Sequence, residues 1–191
     1  HVWVGMWNTK QLHRLDFETG ATLKSIPIST RPYGLAIDSE GLIWIASRDP
    51  NGGVSMVHPE DGELNTFQSP AGENYGLAVD PFGGIWFATG WSSGGGIARF
   101  DKVTQQWQVF SHNQYGATRG VAVKLDTDDT GQVVGGRVYT AHSGSGHVTV
   151  VDAITQQMLP VISVGGNQGP VGVAIDSDGH LWTVNQNSNS A

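Results

Sequence analysis

Few side chains in this 191-residue chain have the type and spacing to do chemistry. The densest run is Asp126-Thr127-Asp128-Asp129-Thr130-Gly131. Asp126, Asp128 and Thr130 stand at positions one, three and five of a calcium-loop pattern. Gly131 follows at position six and the Gln132 carbonyl at seven. Alternate spacing turns successive oxygens to one side of a tight loop, and the glycine permits the sharp turn. These four residues predict a weak structural calcium site, with calcium the only cofactor suggested. An EF-hand would place a bidentate Glu where Arg137 stands, so a solvated acidic turn is the competing reading. His142 and His147 flank Ser-Gly-Ser-Gly, a hairpin tip, and are candidate binding residues facing each other across it. Two imidazoles fall short of the three or four protein ligands zinc takes, which leaves a polar turn as the alternative. Trp91 opens an irregular Gly- and Ser-rich loop, where a ring either anchors a partner or folds over its own sheet. No Ser-His-Asp arrangement, phosphate-binding loop or adjacent carboxylate pair stands out. The Gly-rich stretches fall in hairpin loops, not between a strand and a helix.

The elements that carry these residues repeat along the chain. RPYGLAIDSEGLIWIAS from Arg31, ENYGLAVDPFGGIWFAT from Glu73, TRGVAVKLD from Thr118 and GPVGVAIDSDGHLWTVN from Gly169 align. Their anchor glycines are Gly34, Gly76, Gly120 and Gly172, spaced by 42, 44 and 52 residues. A following aromatic stands at Trp3, Trp44, Trp86, Tyr139 and Trp182. A third landmark, LDFETG at Leu15, VHPEDG at Val57, FDKVTQ at Phe100 and VDAITQ at Val151, closes the next hairpin. A period near 42 is that of a β-propeller blade. The long spacing reflects an insertion over 125–137.

Each repeat reads as four short strands joined by Gly-, Pro-, Asn- and Asp-rich turns. In the second repeat these are Gly34–Asp38, Leu42–Ser47, Gly53–Val57 and Glu63–Gln68. The second strand, Ile43-Trp44-Ile45-Ala46, is apolar on both faces, as a strand packed between two neighbouring blades requires. The repeated aromatics are therefore expected in the core. The anchor glycines mark either a positive φ or a close backbone approach near a central channel. The fold class is all-β, a propeller of four-stranded antiparallel blades with about four and a half blades over 1–191. Residues 1–11 align with 181–191, so the chain begins and ends at a second strand. A four-bladed ring closed by the strand at Gly172–Asp176 is one arrangement; an excerpt of a larger ring is the preferred one, because an open propeller exposes blade faces and sheet edges.

Composition agrees and excludes several functions. The 27 Gly and 8 Pro are too many for a helical protein and fit many short strands. A formal net charge of −7 argues against nucleic-acid or anionic-membrane binding, which need a basic face. The absence of Cys removes disulfides and thiolate metal sites. No apolar run approaches the roughly 20 residues of a membrane span. The chain opens at His1 directly into strand-like sequence, as a processed product or excerpt would.

At RPYGLAIDSEGLIWIAS the repeat resembles that of the streptogramin lyases, the virginiamycin B lyase-like propellers, and more distantly the NHL and YncE-like propellers. That resemblance implies a seven-bladed ring with a magnesium-dependent site of His and Glu residues at one mouth. Typical repeats of the family carry a Glu three residues after the second-strand Trp. The matching positions here are Met6, Ser47, Thr89, His142 and Asn185, and none is Glu. Of these only His142 can move a proton or hold a metal. The expectation is a non-enzymatic binding or scaffold module for a protein or glycan partner. By resemblance its location is extracellular, periplasmic or at the cell surface of a bacterium. A streptogramin lyase-like C–O lyase with catalytic residues in other blades is the alternative.

Overall fold

The computed structural model describes residues 1–49, 52–90, 95–111, 115–166 and 168–188, and all of its regular structure is β-strand. Five antiparallel sheets follow one another along the chain. Blade 1 holds β1 (Val2–Met6), β2 (Gln11–Leu15) and β3 (Thr22–Pro27). Blade 2 holds β4 (Pro32–Ile37), β5 (Ile43–Ser47), β6 (Gly53–His58) and β7 (Gly62–Gln68). Blade 3 holds β8 (Asn74–Val79), β9 (Gly84–Thr89), β10 (Gly96–Asp101) and β11 (Trp107–Ser111). Blade 4 holds β12 (Thr118–Thr127), β13 (Val133–His142), β14 (His147–Asp152) and β15 (Met158–Ser163). Blade 5 is the pair β16 (Pro170–Ile175) and β17 (Leu181–Asn185). The strand at Gly172–Asp176 thus pairs with its own hairpin partner and does not complete blade 1. Among the described residues no helix is long and apolar enough to cross a membrane.

Blade-on-blade packing explains the two-faced apolar strands. Ile43 and Ile45 of β5 pack backwards onto Leu12 and Ile26 of blade 1. Trp44 and Ala46 pack forwards onto Leu77, Ile85, Phe87 and Phe100 of blade 3. Trp86 meets Val138 and Val151 of blade 4 in the same way. Both indoles are fully buried, as the repeat predicts for core aromatics.

The anchor glycines serve close approach, not a positive φ. A Cβ built on Gly34 would lie 2.5 Å from the Tyr75 carbonyl oxygen and 3.1 Å from the Gly76 Cα. On Gly76 it would lie 2.4 Å from the Arg119 carbonyl oxygen. Successive inner strands therefore touch backbone to backbone, which only glycine permits.

A hydrogen bond that the sequence reading missed locks each indole to the preceding turn. Asp38 Oδ1 accepts the backbone N–H groups of Glu40 and Leu42, and Oδ2 accepts the Trp44 indole N–H at 2.9 Å. Asp80 does the same for Trp86 at 2.7 Å, and Asp176 for Trp182 at 2.8 Å. The signal was an Asp six residues before each Trp, present in three of the four aligned segments. Blade 4 lacks the lock because the 125–137 insertion is built into the sheet. It lengthens β12 and β13 to ten residues each and carries the turn, with Asp128, away from Tyr139.

Candidate mouth site

The end of each second strand and the start of each first strand lie at one mouth, because the two are antiparallel partners. Pro32 pairs with Ser47, Asn74 with Thr89, Thr118 with His142 and Pro170 with Asn185. Immediately after each of these first pairs the register slips. The slips fall at Tyr33, at Tyr75-Gly76, at Arg119-Gly120 and at Val171. Such bulges re-aim a side chain out of the pleat. Since the adjacent glycines bring the inner strands together, the residues just before them converge at the mouth.

The result is a cluster of rings and guanidinium groups drawn from four blades. Tyr33 and Tyr75 meet edge to face with centroids 4.7 Å apart, and Trp7, just after β1, meets Tyr33 at 6.1 Å. Arg48, just after β5, lies 5.0 Å from the Tyr75 ring and 5.9 Å from the Trp7 ring. Arg119 lies 5.9 Å from the Tyr75 ring, and Arg31 5.8 Å from Trp7. Arg31 has an anionic neighbour, Asp49, at 3.6 Å. Arg48 and Arg119 have no carboxylate within ion-pair distance among the described residues. Three of the chain's six arginines thus gather on a protein of net charge −7. No short sequence window shows this, because the cluster draws on four repeats, with Arg31, Tyr33 and Arg48 from the second and Trp7, Tyr75 and Arg119 from the others.

The positions matched to the family Glu line the same rim. Ser47, Thr89, His142 and Asn185 are buried, whereas Met6 is exposed. His142 Nδ1 lies 3.1 Å from the Gly116 carbonyl oxygen, and Nε2 lies 2.6 Å from Thr149 Oγ1. A carbonyl only accepts, so Nδ1 carries a proton there, and the remaining nitrogen is held by Thr149. His142 and His147 are direct partners across the β13–β14 hairpin. Their rings both go to Tyr115, which His147 stacks on at 4.3 Å and His142 meets edge-on at 5.5 Å. Trp91 lies outside the described residues.

The calcium-pattern residues sit elsewhere, at the tip of the β12–β13 hairpin. Asp128 Oδ1 accepts the backbone N–H groups of Thr130 and Gln132 and the Thr130 hydroxyl at 2.6 Å. The Thr130 hydroxyl, with the backbone bonds, holds the Asp128 carboxyl below its usual range. This is the turn that Asp38, Asp80 and Asp176 make in the other blades. Asp126 stands on β12 and pairs with Lys124 at 2.8 Å. The structure therefore joins Asp128 to Thr130 and gives Asp126 to a lysine. Among the described residues, one group brings three ligand-type side chains within 4.8 Å: Asp176, Asp178 and His180 of blade 5. Two carboxylates and an imidazole are fewer donors than the six to eight oxygens calcium takes.

No family model matches the chain, and no curated protein matches its sequence. Solved structures do resemble it. Virginiamycin B lyase from Staphylococcus aureus superposes with a TM-score of 0.76 at 13% identity, over 98% of this chain and 60% of that one. The same enzyme with quinupristin gives 0.75 at 13% identity, over 95% and 58%. Hydrazine synthase from Kuenenia stuttgartiensis gives 0.69 at 12% identity, over 95% and 57%. This chain spans about three fifths of the length of each. At such identities the likeness establishes the fold: an all-β propeller of the kind the streptogramin lyases have.

Proposed function

We propose that the chain is a non-enzymatic binding or scaffold propeller acting outside the cytoplasm, and that it receives a protein or glycan partner at the mouth built by Trp7, Tyr33, Arg48, Tyr75 and Arg119. The observation that carries this reading is the convergence of exposed Tyr33 and Arg48 with Arg119, which has no carboxylate partner among the described residues, at one end of the packed blades. Aromatic and arginine side chains are the residues that dominate recognition surfaces. Scaffold-held rims are where propellers place contacts. The state of His142 supports the same reading. An elimination needs a base in reach of its proton and a metal or acid to stabilise the anion. His142 is buried with both nitrogens engaged, and Ser47, Thr89 and Asn185 bring no carboxylate.

A second reading, a magnesium-dependent C–O lyase of the streptogramin type, is favoured by the fold likeness to virginiamycin B lyase. The two are separated by incubating the protein with quinupristin and magnesium and following ring opening by mass spectrometry. The binding reading expects no turnover. Turnover that disappears in His142→Ala overturns it in favour of the lyase.

A further inference from the structure

The mouth leaves specific polar groups without protein partners, and their chemistry selects a ligand. Five buried side-chain polar atoms lack a hydrogen-bond partner among the described residues, and three lie here: Tyr75 OH, Thr89 Oγ1 and Arg119 Nε. Tyr75 is only 1% exposed, so its hydroxyl is deep in the site. Thr89 and Tyr75 are neighbours, since Asn74 pairs with Thr89 and the Tyr75 ring edge lies against Gly90. Buried polar atoms are nearly always satisfied, by ordered water where protein does not reach, so three orphans at one place mark a polar spot suited to the hydroxyls of a ligand. The guanidinium groups of Arg48 and Arg119 lie 5.0 and 5.9 Å from the centroid of the Tyr75 ring, and each carries the fork of donors that matches a carboxylate. Beside them the Tyr33 ring, 44% exposed, and the half-buried Trp7 offer flat apolar faces. The rim also carries Asp49, which is occupied by Arg31, and Glu73 beside Gly90.

We infer that the mouth binds an acidic sugar, a uronic-acid residue of a glycan chain. The inference rests on the binding-module reading and narrows it. A uronic acid meets all three demands. Its carboxylate takes Arg48 and Arg119. Its hydroxyls partner the Tyr75 and Thr89 oxygens and the Arg119 Nε–H, and its ring C–H face stacks on Tyr33 or Trp7. An acidic peptide brings carboxylates but no ring of hydroxyls. A neutral sugar leaves both cations unpaired.

The test is titration calorimetry of the whole chain with trigalacturonic acid. Its methyl ester, maltotriose and poly-glutamate are run beside it. Trigalacturonate is expected to bind, with the ester and maltotriose at least tenfold weaker. Arg48→Gln and Arg119→Gln should each weaken it about tenfold. Arg48 is a surface residue, so its variant keeps the fold even if Arg119→Gln does not. No binding at millimolar trigalacturonate, equal binding of poly-glutamate, or affinity untouched by Arg48→Gln overturns the inference. Maltotriose binding that is lost in Trp7→Ala but indifferent to both arginines would sink the acidic-sugar inference while leaving the binding module standing.

Discussion

Blades 2 and 5 carry the same local device in different surroundings. Each has an Asp whose carboxylate organises a turn and holds the indole six residues on. Yet Trp44 is 0% exposed and Trp182 is 53% exposed. The hydrogen bond is therefore a property of the hairpin, and burial is a property of the next blade. Trp44 lies against Phe67 of its own sheet and Phe100 of blade 3. No described element covers the corresponding face of Trp182. The comparison separates what a repeat does alone from what it does only by stacking, the behaviour expected of a quasi-one-dimensional array.

The sharpest way to break that comparison is to remove both rings. Trp44→Ala should cost about 3–5 kcal/mol, the range for deleting a fully buried large aromatic. Trp182→Ala should cost less than about 1 kcal/mol, since a surface substitution leaves no cavity. Urea unfolding of both variants measures the difference. Equal losses would mean that the indole's value lies in the turn lock and not in the interface.

How much of this was legible beforehand follows from the same division. Strand order, the two-faced second strand and the buried Trp44 and Trp86 follow from the repeat, because blade packing imposes one pattern on every copy. The Asp–Trp lock was also present in the aligned segments, but it links residues six apart and a strand reading does not look for it. The mouth cluster was hidden for a different reason. Tyr33, Tyr75 and Arg119 are equivalent positions in three repeats, and their meeting depends on bulges and on glycine contacts between inner strands. The Asp126-to-Gly131 pattern shows the opposite effect. Its Asp128 and Gly131 occupy the hairpin turn that recurs in every complete first hairpin, so the alternating acids coincide with turn chemistry.

The lock itself offers a smaller, pH-dependent contrast. Burial alone would raise the Asp38 pKa. The Trp44 indole, Lys102 from blade 3 and the backbone N–H groups outweigh it and hold the carboxyl below its usual value. Asp176 is lowered to about 2, first by the Trp182 indole and then by the His180 backbone. A carboxyl depressed by folding stabilises above its unfolded pKa and loses that contribution as pH falls through the folded one. Acid should therefore weaken both locks below about pH 4, the Asp176 contribution fading towards its folded pKa of about 2. Asp38→Asn removes one acceptor from the buried indole and the partner of Lys102, and should cost on the order of 2–3 kcal/mol. The Asp176→Asn change should lower the melting temperature less. It should also flatten the pH dependence of the melting temperature between pH 4 and 2. An unchanged slope would show that the exposed lock is not held in solution.

The smallest contrast lies in the turn that joins the last two strands of a blade, where blades 1 and 2 differ from blades 3 and 4. Asp16, Asp101 and Asp152 each accept two backbone N–H groups there, and His58 does so through Nδ1 in blade 2. Each turn then needs one residue in the left-handed region. That residue is Gly20 at φ 71° and Gly62 at φ 101° in the first two blades. It is Gln105 at φ 57° and Gln156 at φ 56° in the next two. A side chain at such a φ brings Cβ against the neighbouring carbonyl and costs about 1 kcal/mol. Glycine removes that strain but gives back part of the gain as unfolded-state entropy. Gln105→Gly and Gln156→Gly should therefore each stabilise by about 0.5 kcal/mol. Gly20→Gln, where a Cβ meets nothing within 4 Å, should destabilise by about as much. The turns of blades 3 and 4 share the same Asp and Gln positions and lie in separate sheets, so a double variant should be additive. A loss on Gln105→Gly would mean that the Gln side chain contributes more than its strained backbone costs.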